Sequence, residues 1–350
     1  MARIRGKSKT AEILTLSEAV KKYANNGIQV AFSGFTGFNR NPFAFSWEMV
    51  RQGVKDIHAI DRHGSCCTWL LNAVNALSVY ETDWMGWGEM AGKLDVNLNR
   101  NYKEGKMILE DYSHGAMAMR FLAGAVGAPF IPYYAPLGSD LYNVKYDALG
   151  KAGKRDGKVA NIPLKKFIQM SEPFWGDGEC VLLPAARPDL AVIHVAQAGD
   201  KGTAKWRGVG TIDKEISFAC EKVIVVAEEI VPEAEMRKYP EANQIPYFVV
   251  DAIVECPWGA FPSSVPYYYD YDAPFMRGMD AASRNTDDLK KWLDEWVFGP
   301  ASWEDFLIKL GAKKLLDLKA ESTGYSTRML RGKKPAPRMK MPLSVARSGY

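Results

Sequence analysis

Apolar residues in this chain come in short runs that stop at turn residues, separated by stretches with helical spacing. The first clear run, 28–32, ends in Ser33-Gly34-Phe35-Thr36-Gly37-Phe38, a glycine-spaced turn carrying aromatics. Further strand-like runs lie at 57–60, 79–81, 107–109, 190–195, 223–227 and 249–254. Helical patterns occupy 18–24, with Ser17 as N-cap and Gly27 as stop, and 42 to about 51, opened by Pro42. Others fall at 68–76, 114–126 with Ser113 as cap, 215–220, 287–297 and 302–310. Strands alternating with helices predict an α/β fold, an open and mostly parallel sheet with helices on both faces.

Three departures from that rhythm refine the picture. Residues 140–180 carry Gly150, Gly153, Gly157, Gly176 and Gly178 among mixed charges, the pattern of a long excursion or β-hairpin insertion. Residues 121–139 hold no charge, but Pro129, Pro132 and Pro136 break any spanning helix, so they read as helix end, buried strand and loop. Trp292, Trp296, Trp303 and Phe306 recur at helical spacing as a core-facing stripe. The expectation is one domain over 1–320, with a flexible basic tail at 321–350.

Composition adds little to this. At 47% hydrophobic and 25% charged, the 350 residues suit a globular protein rather than a disordered one. The net charge of +4 resides in the tail: residues 318–350 hold eight Lys/Arg against one Glu, or +7, leaving −3 for the rest. That excludes a basic groove as an argument for nucleic-acid binding. No secretory signal or membrane span is visible, and five cysteines without a CxxC pair fit reduced thiols, so a cytoplasmic location is expected.

Candidate chemistry centres on the turn. A strand ending in Ser33, Gly34, Phe35, Thr36 and Gly37 exposes backbone N–H groups, a means of holding a small anion or an oxyanion. A plain tight turn explains the same residues equally well. Asp83 and Glu89 flank the loop Trp84-Met85-Gly86-Trp87-Gly88, which suits the wall of an acyl pocket or a surface turn over core tryptophans. Glu110 ends a strand, where α/β sites form. His58, His63, His114 and His194 are scattered without HxxxH or HExxH spacing, so no metal is expected. His194 reads as a hydrogen-bonded structural histidine.

Four blocks then occur in a telling order: the turn, Glu110-Asp111-Tyr112-Ser113, the run from Asp189 to Gln197, and VDAIVECPWGAFPS from Val250 to Ser263 followed by YYDYD at 268–272. Together they resemble the A (alpha) subunits of family I CoA-transferases, the glutaconate CoA-transferase type among them, from about Leu14 to about Leu318. The resemblance implies an open α/β subunit paired with a homologous beta subunit that carries the catalytic glutamate. In that family the glutamate attacks an acyl-CoA and passes through a glutamyl-CoA thioester. No Ser-Glu-Asn-Gly context for such a glutamate occurs here, so no catalytic residue is expected in this chain.

On the same resemblance, Ser33 to Gly37 form the thioester and oxyanion loop, while Trp84, Gly86, Trp87, Gly88, Glu89, Glu110 and Gln197 line the substrate pocket. CoA and acyl-CoA are substrates, with no cofactor permanently bound, and a carboxylic acid is the acceptor. Replacing Gly34 by Val is expected to lower turnover more than folding. The chain also resembles the alpha subunits of steroid-ring hydrolases, which open a cyclic CoA thioester by hydrolysis without a glutamyl-CoA intermediate. A non-catalytic CoA-binding scaffold is the third reading.

Overall fold

The computed structural model describes residues 10–86, 95–134, 138–176, 178–321 and 326. Twelve strands follow in chain order: β1 (Glu12–Ile13), β2 (Gln29–Phe32), β3 (Ile57–Asp61), β4 (Leu77–Thr82), β5 (Ile108–Asp111), β6 (Phe130–Tyr133), β7 (Ile168–Ser171), β8 (Glu179–Pro184), β9 (Leu190–Gly199), β10 (Ala204–Lys205), β11 (Lys222–Val231) and β12 (Ala252–Glu255). Nine of them form an open α/β sheet in the order β1-β12-β11-β9-β2-β3-β4-β5, with β10 beside β9. Every pairing is parallel except that of β10, which turns back on β9.

Alternation along each strand divides the core in two. Val30, Phe32, Leu190, Val192, Ile224, Val226, Ala252 and Val254 pack on one face. Their neighbours Ala31, Ala191, Ile193, Val223, Val225 and Ile253 pack on the other. Since successive side chains point to opposite sides of a pleated strand, apolar residues at every position require cover on both faces. Helices Phe43–Arg51, Cys66–Ala73, Ala273–Ser283 and Trp303–Leu310 cover the first face. Helices His114–Ala125 and Asp213–Ala219, with β8, cover the second. Trp303 and Phe306 of the aromatic stripe are buried and stacked at 4.5 Å, while Trp292 and Trp296 pack partly buried against the same core.

Local signals placed elements well and their ends less well. Ser113 caps the His114–Ala125 helix through the N–H of Ala116, as expected. The first helix runs Leu16–Tyr23, and its N-cap is Thr15, not Ser17. The Thr15 hydroxyl takes the Glu18 N–H while the Glu18 carboxylate takes the Thr15 N–H, a reciprocal box that Ser17 cannot form. Pro42 is likewise the cap rather than the first residue of Phe43–Arg51.

The 140–180 region contains the expected hairpin, with β7 antiparallel to β8, and β6 completing a three-stranded sheet in the order β6-β8-β7. β6 was expected to be buried, but it is a half-exposed edge strand. Pro132 is tolerated there because an edge strand needs only half of its N–H groups paired. The tail beyond Glu321, apart from Ser326, lies outside the described residues. Among the described residues, no helix is long and apolar enough to cross a membrane.

One polar line runs through the core. Gln29 Nε2 meets His58 Nδ1 at 3.1 Å, His58 Nε2 meets Glu81 Oε1 at 2.8 Å, and Arg120 donates to Glu81 Oε2 at 2.7 Å. All four residues are buried, so three adjacent strands and a covering helix are joined by charge as well as packing. Burial pushes the Glu81 carboxyl up, but Arg120 and His58 outweigh it and hold the group well below the usual carboxylate range. A lowered carboxylate contributes stability that is present above its unfolded value near 4.3 and lost as pH falls below it. Glu81→Gln should therefore cost about 3–5 kcal/mol at neutral pH, because Arg120 is left uncompensated. It should also flatten the fall in stability below about pH 4. Urea denaturation across pH checks both effects.

Candidate functional site

Strand order reverses between β2 and β9: β3, β4 and β5 follow β2 to one side, and β11 and β12 follow β9 to the other. Loops leaving adjacent strands at such a point part in opposite directions and open a crevice at the carboxyl edge. The turn after β2 lies on that edge. Ser33 Oγ accepts the N–H of His194 in β9 at 2.8 Å and donates to the Arg40 carbonyl at 3.2 Å, tying turn to strand.

Gly34 sits at φ +114°, where a Cβ would lie 2.6 Å from the Asn39 carbonyl oxygen. Its N–H is aimed at Asp213 Oδ1, 3.1 Å away. Asp213 in turn pairs with Arg40, and both side chains are completely buried. Arg40 also donates to the carbonyls of His194 and Val209 and lies 4.9 Å over the Trp206 ring.

The turn is thus a closed structure rather than an open row of donors. The N–H groups of Ser33, Phe35, Phe38 and Asn39 are also taken, by Val192, Asn39, Phe35 and Phe35 carbonyls. Those of Thr36, at φ 48°, and Gly37 make no hydrogen bond among the described residues. Segment 259–264 holds the far side: Asn41 N–H reaches Ser263 Oγ at 3.0 Å, Arg40 N–H the Ser264 carbonyl at 2.8 Å, and Ala44 N–H the Gly259 carbonyl at 2.9 Å.

Beside the turn, the loops after β3 and β4 and the start of the helix after β5 bring His63, Asp83 and His114 together. Asp83 Oδ1 lies 3.5 Å from His63 Nδ1 and 3.4 Å from His114 Nδ1. Phe35 meets the His63 ring edge-on at 5.1 Å, and Trp84 meets His114 at 6.1 Å. Gly64 lets the first two loops touch: its N–H donates to the Trp84 carbonyl at 2.9 Å, and a Cβ there would lie 2.2 Å from the Gly86 oxygen. Burial, then the nearby Asp61 charge, raises the Asp83 carboxyl to about 8. Burial, then Arg62, lowers His63 to about 3 and lowers His114. At neutral pH both imidazoles are uncharged, a state in which each ring offers a lone pair.

A coenzyme A transferase family model matches residues 13–256, which contain the turn, Asp213 and the His63–Asp83–His114 group. The chain belongs to the coenzyme A transferase family. Over 313 residues it is 32% identical to the A subunit of glutaconate CoA-transferase from Acidaminococcus fermentans, covering 88% of this chain and 95% of that one. It is 31% identical to the A subunit of 3-oxoadipate CoA-transferase from Pseudomonas knackmussii, covering 87% and 100%. A cholesterol ring-cleaving hydrolase subunit of Mycobacterium tuberculosis is 23% identical, covering 85% and 98%. The crystal structure of the A. fermentans glutaconate CoA-transferase superimposes with a TM-score of 0.83 at 31% identity, covering 91% of this chain and 99% of that one.

In this CoA-transferase family member the expected pocket residues separate into three groups. Trp84, 38% exposed, meets His114 edge-on, and the buried Gly86 lies against Gly64. Gln197 pairs with Glu229 on the neighbouring strand at 2.6 Å. Glu110 is fully buried and engaged by Lys166 Nζ at 2.7 Å and the Leu149 N–H at 2.9 Å, so it anchors the 140–180 region instead of facing a ligand. Trp87, Gly88 and Glu89 lie outside the described residues. His194 is buried 3.1 Å from Glu228. The five cysteines are buried and none forms a disulfide among the described residues.

Sequence reasoning passed over Arg40, Asp213 and the His63–Asp83–His114 group. The available signal was positional: Asp61, Asp83 and Asp111 each end or follow a strand, but their nearness depends on sheet order. The collision at Gly34 weighs against the expectation that a side chain there lowers turnover more than folding. Gly34→Val and Asp213→Ala should each lower unfolding stability, the second by about 3–5 kcal/mol because Arg40 stays buried without a partner. Chemical denaturation measures this, and lost turnover at an unchanged midpoint would contradict it.

Proposed function

We propose that this chain is the alpha subunit of a heteromeric CoA-transferase that moves CoA between an acyl-CoA and a carboxylic acid. The nucleophile is a glutamate on a homologous beta subunit. Its carboxylate attacks the thioester carbonyl, CoA leaves as the thiolate, and an acyl-glutamyl anhydride forms. The thiolate then attacks the glutamyl carbonyl, releasing the first acid and leaving glutamyl-CoA. The acceptor acid reverses both steps.

The observation that carries the two-chain reading is the state of the glutamates at the carboxyl edge. Glu81 holds Arg120, Glu110 holds Lys166, Glu228 accepts from Tyr269 and the Trp258 N–H, Glu229 accepts from Gln197 and Tyr268, and Glu255 accepts the Ile230 N–H. A carboxylate so engaged is a poor nucleophile, so these five described glutamates support a reading in which a partner chain brings a free one. Relatives at 31–32% identity over nearly their whole length are named as the A subunits of transferases, whereas the hydrolase stands at 23%.

In this reading the Ser33 to Gly37 turn serves the tetrahedral steps through the N–H groups of Thr36 and Gly37. A pre-aimed donor of that kind is worth roughly 3–4 kcal/mol in such a step. Phe35 and Trp84, both part-exposed at the crevice, wall the acyl chain. Hydrolytic ring opening is the second reading, favoured by the uncharged imidazoles of His63 and His114, which would orient a water.

Mixing an acyl-CoA with this chain and its beta subunit should give an adduct that hydroxylamine or borohydride traps on the beta subunit, not on this chain. Water-dependent ring opening with no adduct would establish hydrolysis instead. No turnover across a panel of acyl-CoA esters would establish the scaffold role.

A further inference from the structure

We propose that His63, Asp83 and His114 bind one divalent transition-metal ion, of the zinc class, at the carboxyl edge of the sheet. The three side chains come from the loops after β3 and β4 and the first residue of the helix after β5, and each can place a ligand atom within 4.8 Å of the other two. The two measured edges are 3.5 and 3.4 Å. Bonds of about 2.1 Å in a tetrahedron place neighbouring ligands roughly 3.4 Å apart, so these edges already match a four-coordinate ion.

The group also lacks the partners that a structural cluster would have. Both nitrogens of His63 and both oxygens of Asp83 are buried and make no hydrogen bond among the described residues. Each such buried atom is costly when left unsatisfied. His63 Nδ1 and Asp83 Oδ1 face each other at 3.5 Å, and a cation between them would relieve both in a single step.

Ligand chemistry narrows the ion. Two imidazoles and one carboxylate suit zinc, cobalt or ferrous iron, whereas calcium and magnesium call for oxygen ligands throughout. The surrounding charge agrees, since Asp61 and Asp111 stand near Asp83 along with Arg62. The His114 side chain is 45% exposed and the Asp83 side chain is fully covered. One flank of the ion is therefore sealed and the other open, as in sites that leave a position for water or substrate. Sequence spacing concealed all this because 51 residues separate the two histidines, while the fold brings their rings to 4.7 Å.

The site stands apart from the transferase reading and is tested without turnover. The full-length chain, stripped with a chelator and titrated with cobalt(II), should take up one equivalent and develop the intense visible bands of a four-coordinate ion. Zinc should abolish them by displacement. His114→Gln, at a half-exposed position, should keep the melting temperature and weaken cobalt binding about tenfold or more. Asp83→Asn should lose the visible bands. Sub-stoichiometric uptake, six-coordinate spectra, or binding unchanged in His114→Gln would overturn the proposal.

Discussion

The buried pair of Arg40 and Asp213 is the constraint on which the rest of the edge depends. Neither charge touches solvent, so each is tolerable only because the other is present and further hydrogen bonds complete its shell. The pair joins parts of the chain 173 residues apart. It also decides what the turn after β2 can be. With Asp213 drawing in the Gly34 N–H, the backbone folds inward, and only the tip at Thr36 and Gly37 keeps donors to spare.

A second layer of organisation follows from strand order. Parallel strands deliver all their carboxyl ends to one edge, so acids that close different strands gather even though the chain separates them. Two are held by named cations: Glu81 by Arg120, and Glu110 by Lys166 and Arg155. The group beside Phe35 is the exception, a carboxyl between two imidazoles with no cationic side chain in contact among the described residues. Structural acids and site acids are distinguished here by what already holds them.

Periodicity revealed the sheet because a strand covered on both faces is apolar at most successive positions, and Leu190 to Ile193 or Val223 to Ala227 display such a run. Ser113 and the aromatic stripe were legible for similar reasons, since caps and helix faces are local. Glu110 was misread because a glutamate at a strand end looks the same whether it meets a ligand or Lys166, 56 residues away. Ser17 lost to Thr15 because a hydroxyl caps only in register with the following glutamate. Arg40, with φ 50°, offered no pattern at all: its meaning lies in Asp213, His194 and Trp206, which only the folded chain assembles.

The contact between Gly64 and the 84–86 backbone has a thermodynamic consequence. Two loops pinned main chain to main chain cannot rearrange independently, and the ring of His63 is carried on one of them while Asp83 belongs to the other. The entropy of ordering them is spent when the chain folds rather than at each encounter with a ligand. Recognition at this edge is then rigid, and a guest of the wrong shape meets a wall that does not yield.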